Sequence, residues 1–326
     1  MDIQTLMNDI LTEAYDTRSA DVYIIPKHTH YVVERHHHNQ MIAIKSLSKS
    51  IGLKVINYFK YNGNMLISEH RRPQVGAMEW TQSERQCYLR FSTVGDFKGR
   101  EALVIRLIYP LSNHTTRFFK PAQYEALKAR ANQRGLIVFA GPTGSGKTTT
   151  IYHLAREYSE EQMVMTIEDP VEVYEPSFLQ LQVNQEALMS YQDLLKVGLR
   201  NRPDIFIIGE IRDCDTAQAA VQAALSGHLV LTTLHAKTPL GVVERLTNLG
   251  VKKDYLVQAL NVIAYQRLLR DKNGNIQALL NSVTATDIFD QRIDAEQSIQ
   301  AWQSDLNQLV AENQISATER TRVWYG

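Results

Sequence analysis

The chain has 326 residues, a length that suits about two domains, and 44% of them are hydrophobic, too many for a disordered chain. Lys plus Arg and Asp plus Glu number 35 each, so the formal net charge is zero, which argues against a chain that coats nucleic-acid phosphates. The two cysteines, Cys87 and Cys214, make neither a disulfide framework nor a four-cysteine zinc site, and the simplest compartment is the reducing cytosol.

Met1–Tyr15 carries Ile3, Leu6, Met7, Ile10, Leu11 and Ala14 at helical spacing. It lacks a basic stretch followed by an apolar one, so no signal peptide is expected. Short extended runs rich in Val, Ile and Tyr follow at Asp21–Ile25, Tyr31–Arg35, Leu89–Thr93 and Ala102–Leu107, with a helix expected over Ile51–Tyr61. This mixture predicts a smaller N-terminal α+β domain over residues 1–109, then a connector over 110–120 with Pro110, Ser112 and Asn113. Pro121 suits the first turn of a helix running to Asn132.

Beyond Gly135 the pattern changes. Apolar strands at Leu136–Ala140, Met163–Ile167, Ile205–Gly209 and Leu229–Leu234 alternate with helices at Lys147–Tyr158, Tyr191–Leu199 and Thr216–Ser226. That alternation predicts an α/β domain over 121–326, with a parallel sheet covered on both faces. From Asp254 onward the chain is expected to be mostly helical. No apolar run approaches the ~20 residues of a membrane span, so a membrane role would be peripheral.

The strongest motif is Gly141-Pro142-Thr143-Gly144-Ser145-Gly146-Lys147-Thr148, followed by Thr149. It fits the P-loop pattern at every fixed position, after an apolar strand and at the start of a helix. Gly144 and Gly146 let backbone N–H groups turn inward around phosphate oxygens, and the helix offers its positive end to the same charge. Lys147 is expected on the β and γ phosphates, and Thr148 on Mg²⁺. ATP and Mg²⁺ are therefore the expected substrate and cofactor.

Hydrolysis needs a group that activates water. Glu210 ends the apolar strand Ile205–Gly209 and would stand beside the γ-phosphate. Gly209 occupies the place of the usual magnesium-coordinating Asp, so a second acid is needed. Glu168, in Met165-Thr-Ile-Glu-Asp-Pro170, also follows an apolar strand and could hold a metal-bound water, although an acidic turn before Pro170 is an alternative. His228 and His235 flank the strand Leu229–Leu234, and an imidazole there could sense a γ-phosphate; each could equally be a satisfied polar residue at a strand end.

These blocks resemble the secretion ATPase superfamily, the hexameric motors of type II secretion, type IV pili and bacterial competence. P-loop, Asp box (Thr166–Val173), Walker B strand (Arg202–Asp213) and His box (Ser226–Ala236) stand in that family's order, and Ala264-Tyr-Gln-Arg-Leu-Leu269 resembles its A-Q-R-L segment. Ala20–Pro26 and Arg71–Gly76 resemble N-terminal segments of the family. The resemblance implies a RecA-like ATPase domain behind a PAS-like N-terminal domain. It also implies that Arg90 and Arg106 approach ATP, across a subunit boundary or within one chain; a guanidinium suits charge on a transferring phosphoryl, while a structural ion pair is the alternative. The missing N-terminal docking domain and cysteine module of larger members point to the compact Gram-positive competence members. A hexameric ring on the inner face of the membrane follows, working on a polytopic platform protein and, through it, on pilin-like subunits. A pilus or secretion motor, a nucleotide-dependent scaffold without productive hydrolysis and a DNA translocase are the alternatives.

Three other features are weighed. His28, His30 and His36–His38 lie on predicted strands whose alternating faces do not converge on one ion. Cys214 is expected to be an ordinary, partly buried thiol. Asp213 and Gly227 bracket an amphipathic helix.

Overall fold

The computed structural model describes residues 2–37, 40–113, 116–184 and 187–325, and for His37, Gln40, Asn113 and Ala295 the backbone only. His38 and part of the 110–120 connector lie outside the described residues. The chain divides into two compact units, Met1–Asn113 with Glu172–Tyr174, and His114–Val171 with Glu175–Gly326.

The first unit holds α1 (Ile3–Asp16), β1 (Asp21–Pro26), β2 (His30–His37), β3 (Gln40–Ser48), α2 (Lys49–Asn62), β4 (Gln74–Gln82), β5 (Arg85–Gly95) and β6 (Glu101–Ile108). Its strands form an antiparallel sheet in the order β3-β2-β1-β6-β5-β4. The helix α1 buries Leu6, Met7, Ile10, Leu11 and Ala14, the 3.6-residue stripe seen in the sequence. These pack with Val22, Ile24, Phe59, Leu89 and Ile105 into one core. The strands β3 and β4, absent from the sequence reading, are the two sheet edges. Only Trp80 of β4 is fully buried, so its apolar signal is faint.

The second unit begins with α3 (Pro121–Ala131) and β7 (Gly135–Ala140), followed by α4 (Lys147–Arg156), β8 (Val164–Glu168), β9 (Leu179–Gln182), α5 (Tyr191–Asn201) and β10 (Ile205–Ile208). It continues with α6 (Cys214–Leu225), β11 (Leu229–Leu234), α7 (Pro239–Asn248), α8 (Lys253–Ala259), β12 (Leu260–Arg270), β13 (Ile276–Thr284), α9 (Ala285–Phe289), α10 (Ala295–Ala311) and α11 (Ala317–Arg322). The sheet order is β13-β12-β7-β11-β10-β8-β9. All neighbours pair in parallel except the β12–β13 hairpin. Every residue of β7, β8, β10 and β11 is buried, as a strand covered on both faces must be.

The helical expectation beyond Asp254 is corrected at β12 and β13. The turn between them is Asp271-Lys-Asn-Gly274-Asn, with Gly274 at φ +88° and Asp271 Oδ1 accepting from the N–H groups of Asn273 and Asn275. Asn-Gly between apolar runs is a hairpin signal, and Val262 and Ile263 favour the strand. Cys214 is corrected as well. It is exposed, the first residue of α6, and accepts a hydrogen bond from Gln218 at 3.3 Å.

Candidate functional site at the sheet edge

The sheet register brings distant sequence blocks to one edge. Ala140 pairs with Leu234 of β11 and Tyr265 of β12, and Ile208 of β10 pairs with Thr232 of β11 and Ile167 of β8. The residues that follow these positions, Gly141, His235, Gln266, Gly209 and Glu168, therefore emerge together at the C-terminal end of the parallel strands, where such sheets place their sites.

Gly141–Gly146 forms the loop between β7 and α4. Gly144 and Gly146 stand at φ +75° and +81° and Gly141 at φ +142°, values that admit glycine and strain other residues. A Cβ on Gly141 would lie 2.5 Å from the Gln266 carbonyl, so the backbone there has no room for a side chain. Ser145 Oγ is buried with no hydrogen-bond partner among the described residues and α4 starts at Lys147, so its first N–H groups face the loop. A cradle of glycines, an orphaned hydroxyl and a helix N-terminus fit a phosphate chain. Lys147 Nζ donates to the carbonyls of Gly141 and Pro142, 2.9 Å each.

Glu210 follows β10 with its carboxylate between two donors. One oxygen is 3.1 Å from His235 Nε2, and the other accepts from Arg212 Nε at 2.7 Å. The carboxylate beside Arg212 raises that guanidinium's affinity for its proton. His235 Nδ1 lies 3.1 Å from the Gly141 carbonyl, so one imidazole joins the P-loop to Glu210. Thr233 Oγ1 donates to the Gly209 carbonyl at 2.8 Å and fixes the turn that carries Glu210.

Glu168 is 3% exposed at the end of β8. It accepts a short hydrogen bond from Tyr152 of α4, whose hydroxyl accepts in turn from Gln180 of β9 at 2.8 Å. Burial, then the neighbouring Glu168 charge, push the Tyr152 phenol well above its ordinary range. Tyr152 stands four residues after Thr148, on the same face of α4. A Cβ on Gly209 would sit 3.1 Å from Glu168 Cγ. The aliphatic stem of Glu168 thus takes the space where a side chain at 209 would project.

One expected site residue of the second unit, His228, stands at the other end of its strand. His228 precedes β11 and six strand residues separate it from His235, a span of about 23 Å at ~3.3 Å per residue step. Its Nδ1 lies 3.0 Å from the Ala223 carbonyl at the end of α6, which corrects its grouping with the P-loop in this chain. Arg106, in the first unit, donates to both oxygens of Asp21 at 2.8 and 3.3 Å, the structural ion pair kept as the alternative. Arg90 lies on β5, across from Arg106 of β6. The sequence reading missed Tyr152, Gln180, Arg212 and Gln266 as site residues. Arg212 and Gln266 sit inside quoted blocks, and Tyr152 could have been found from its i+4 spacing to Thr148.

The family model "Type II/IV secretion system protein" matches residues 1–321. The competence protein ComGA of Streptococcus pneumoniae (strain ATCC BAA-255 / R6) is 37% identical over 317 residues, covering 97% of each chain. Competence protein ComGA of Bacillus subtilis (strain 168) is 36% identical over 273 residues, covering 82% of this chain and 76% of that one. A crystal structure of the pilus retraction motor PilT with bound ADP superposes with a TM-score of 0.72 at 20% identity, covering 97% of this chain and 96% of that chain. That likeness shows the shared RecA-like ATPase fold. The chain belongs to the type II/IV secretion system protein family.

Proposed function

We infer that the chain is a motor ATPase that hydrolyses ATP to power assembly of a competence pseudopilus for DNA uptake. The observation that carries this reading is the link Glu210–His235–Gly141 at the P-loop, in a chain that matches a competence protein ComGA along almost its whole length. The orphaned Ser145 hydroxyl and the glycine cradle favour ATP as the occupant.

Lys147 exchanges two loop carbonyls for β- and γ-phosphate oxygens, a stronger, charge-assisted pairing. The residues Pro142, Thr143 and Thr149 complete the binding loop with Gly141, Gly144, Ser145, Gly146 and Thr148. Thr148 and, through water, Glu168 would hold Mg²⁺, which neutralises phosphate charge when bound. Glu210 accepts a hydrogen bond from water as its oxygen attacks the γ-phosphorus. The bond to the bridging oxygen breaks, and ADP and phosphate leave. His235 loses or keeps its Gly141 bond according to what the loop holds, which makes it the sensor of nucleotide state. Arg90 and Arg106 are proposed to face the developing charge; Arg106 is exposed enough to leave Asp21. His228 has no part in this chain's own chemistry.

On this reading residues 1–109 form the sensing domain, 110–120 the linker and 121–326 the ATPase domain. The protein works in the cytoplasm as a hexameric ring on the inner face of the membrane, against a polytopic platform protein and, indirectly, pilin-like subunits. No helix among the described residues is long and apolar enough to cross a membrane, which is compatible with peripheral association. The test is genetic. Removing the gene should abolish DNA uptake, the intact gene should restore it, and the Lys147→Ala gene should not. Uptake at wild-type level without the gene would overturn the competence reading, and failed secretion or pilus display in its place would move the motor to one of those machines.

A further inference from the structure

Gln266 lies on β12, far in sequence from the P-loop, and is fully buried. The register that pairs Tyr265 with Ala140 sets Gln266 beside Gly141. Its Nε2 donates to the Ser145 carbonyl at 2.8 Å. Its backbone carbonyl fills the space above Gly141, and its amide stands 3.0 Å from where a Cβ on Gly146 would be.

The bond to Ser145 has a geometric consequence. The peptide between Ser145 and Gly146 is trans and planar, so its C=O and its N–H point in opposite directions. Gln266 draws the carbonyl outward, toward β12. The Gly146 N–H is thereby aimed inward, into the loop hollow where phosphate oxygens sit. A glycine at φ +81° would otherwise sample several peptide orientations, since its freedom is the widest of any residue. We propose that Gln266 is a positioning residue for nucleotide binding, which pre-sets the Ser145–Gly146 peptide of the P-loop from the C-terminal hairpin. This rests on the ATP-binding role proposed above. Gln266 touches no phosphate and acts through the loop, so its loss should weaken binding of di- and triphosphates alike and leave the chemical step intact.

The experiment measures ADP affinity in the presence of Mg²⁺ by calorimetry, and KM and kcat for ATP, in the full chain. Gln266→Met keeps the volume and removes the donor, and Gln266→Ser admits a water in place of the amide. A single neutral hydrogen bond plus the loop ordering it secures corresponds to about a tenfold loss of ADP affinity, with KM rising about as much and kcat within about twofold. Leu279→Ala, in the adjoining strand, is the control for packing: it should lower thermal stability with KM and ADP affinity unchanged. Circular dichroism identifies the folded variants, and either Gln266 variant suffices once folded. Unfolding of both, with Leu279→Ala folded, would contradict the proposal, because it would make Gln266 a residue of the fold. Folded variants with wild-type ADP affinity and KM would also overturn it, as would a fall in kcat at constant KM. Wild-type protein that binds no ADP would instead overturn the nucleotide-binding reading.

Discussion

Removing one oxygen atom, by Tyr152→Phe, tests how Glu168 is held. Tyr152 is fully buried in α4, donates to the Glu168 carboxyl and accepts from Gln180 at 2.8 Å. Phenylalanine fills the same space, so the cavity contribution is small and the change isolates the hydrogen bonds. A bond to a charged acceptor contributes about 1.5–3 kcal/mol, so the variant should lose about 2 kcal/mol. For a unit of some 200 residues that is a fall in Tm of about 4–8 °C, which calorimetry resolves. ATP turnover should drop while ADP affinity stays put, because Lys147 and the loop are untouched. The partner variant Glu168→Gln and the double variant close a thermodynamic cycle. Since the two groups touch, the double variant should cost about 1 kcal/mol or more less than the sum of the single ones. An unchanged Tm with additive costs would refute the claim that Tyr152 holds Glu168.

Other consequences follow from the same contacts. Lys60 of α2 is fully buried and donates to Glu101 at 2.8 Å, to the Glu69 carbonyl at 2.5 Å and to the Ile67 carbonyl at 3.4 Å, while His70 meets the other Glu101 oxygen at 2.9 Å. Lys60→Met leaves that buried carboxylate with His70 alone and should cost about 3–5 kcal/mol, seen as faster amide exchange across β1, β5 and β6; Lys60→Met with Glu101→Leu should recover much of it. Unchanged exchange in the single variant would contradict the pairing. His235→Ala should cut turnover about tenfold or more as the Glu210–P-loop link is lost, whereas His228→Ala should leave the turnover of dilute protein within about twofold. Equal losses from the two histidines would contradict the separation seen along β11. Burial pushes the Cys87 thiol up to about 12, so it stays neutral at pH 8, and Cys214 is exposed. One thiol per chain should therefore alkylate quickly at pH 8, and mass mapping should find it at Cys214.

How much of this was legible in the sequence varies along the chain. The buried strands of the parallel sheet announce themselves, because β7 and β10 are continuous apolar runs and β8 and β11 interrupt theirs only with Thr and, at the end of β8, with Glu168. The P-loop announces itself because its glycines answer a backbone requirement that no other residue meets. Edge strands do not: β9 has four half-polar residues, and β4 buries a single Trp. The pair β12–β13 was read as helix because eleven mixed residues admit both periods, and the Asn273-Gly274 turn was the missed cue. For the site, Glu168, Glu210 and His235 were found because each ends an apolar strand. His228 was grouped with them only because it flanks the same strand as His235, although it stands at the strand's N-terminal end, away from the edge where parallel sheets place their sites. Tyr152 and Gln266 went unassigned because their roles depend on register between segments far apart, which one sequence does not display.

The central claim is that this sheet edge hydrolyses ATP through Glu210. Phosphate release and ATP affinity, measured on wild-type and Glu210→Gln protein under the same conditions, test it directly. Glu210→Gln keeps the volume and removes the charge, and turnover should fall by about a hundredfold or more with ATP affinity unchanged. Phosphate release at the wild-type rate in a folded Glu210→Gln protein would contradict the account.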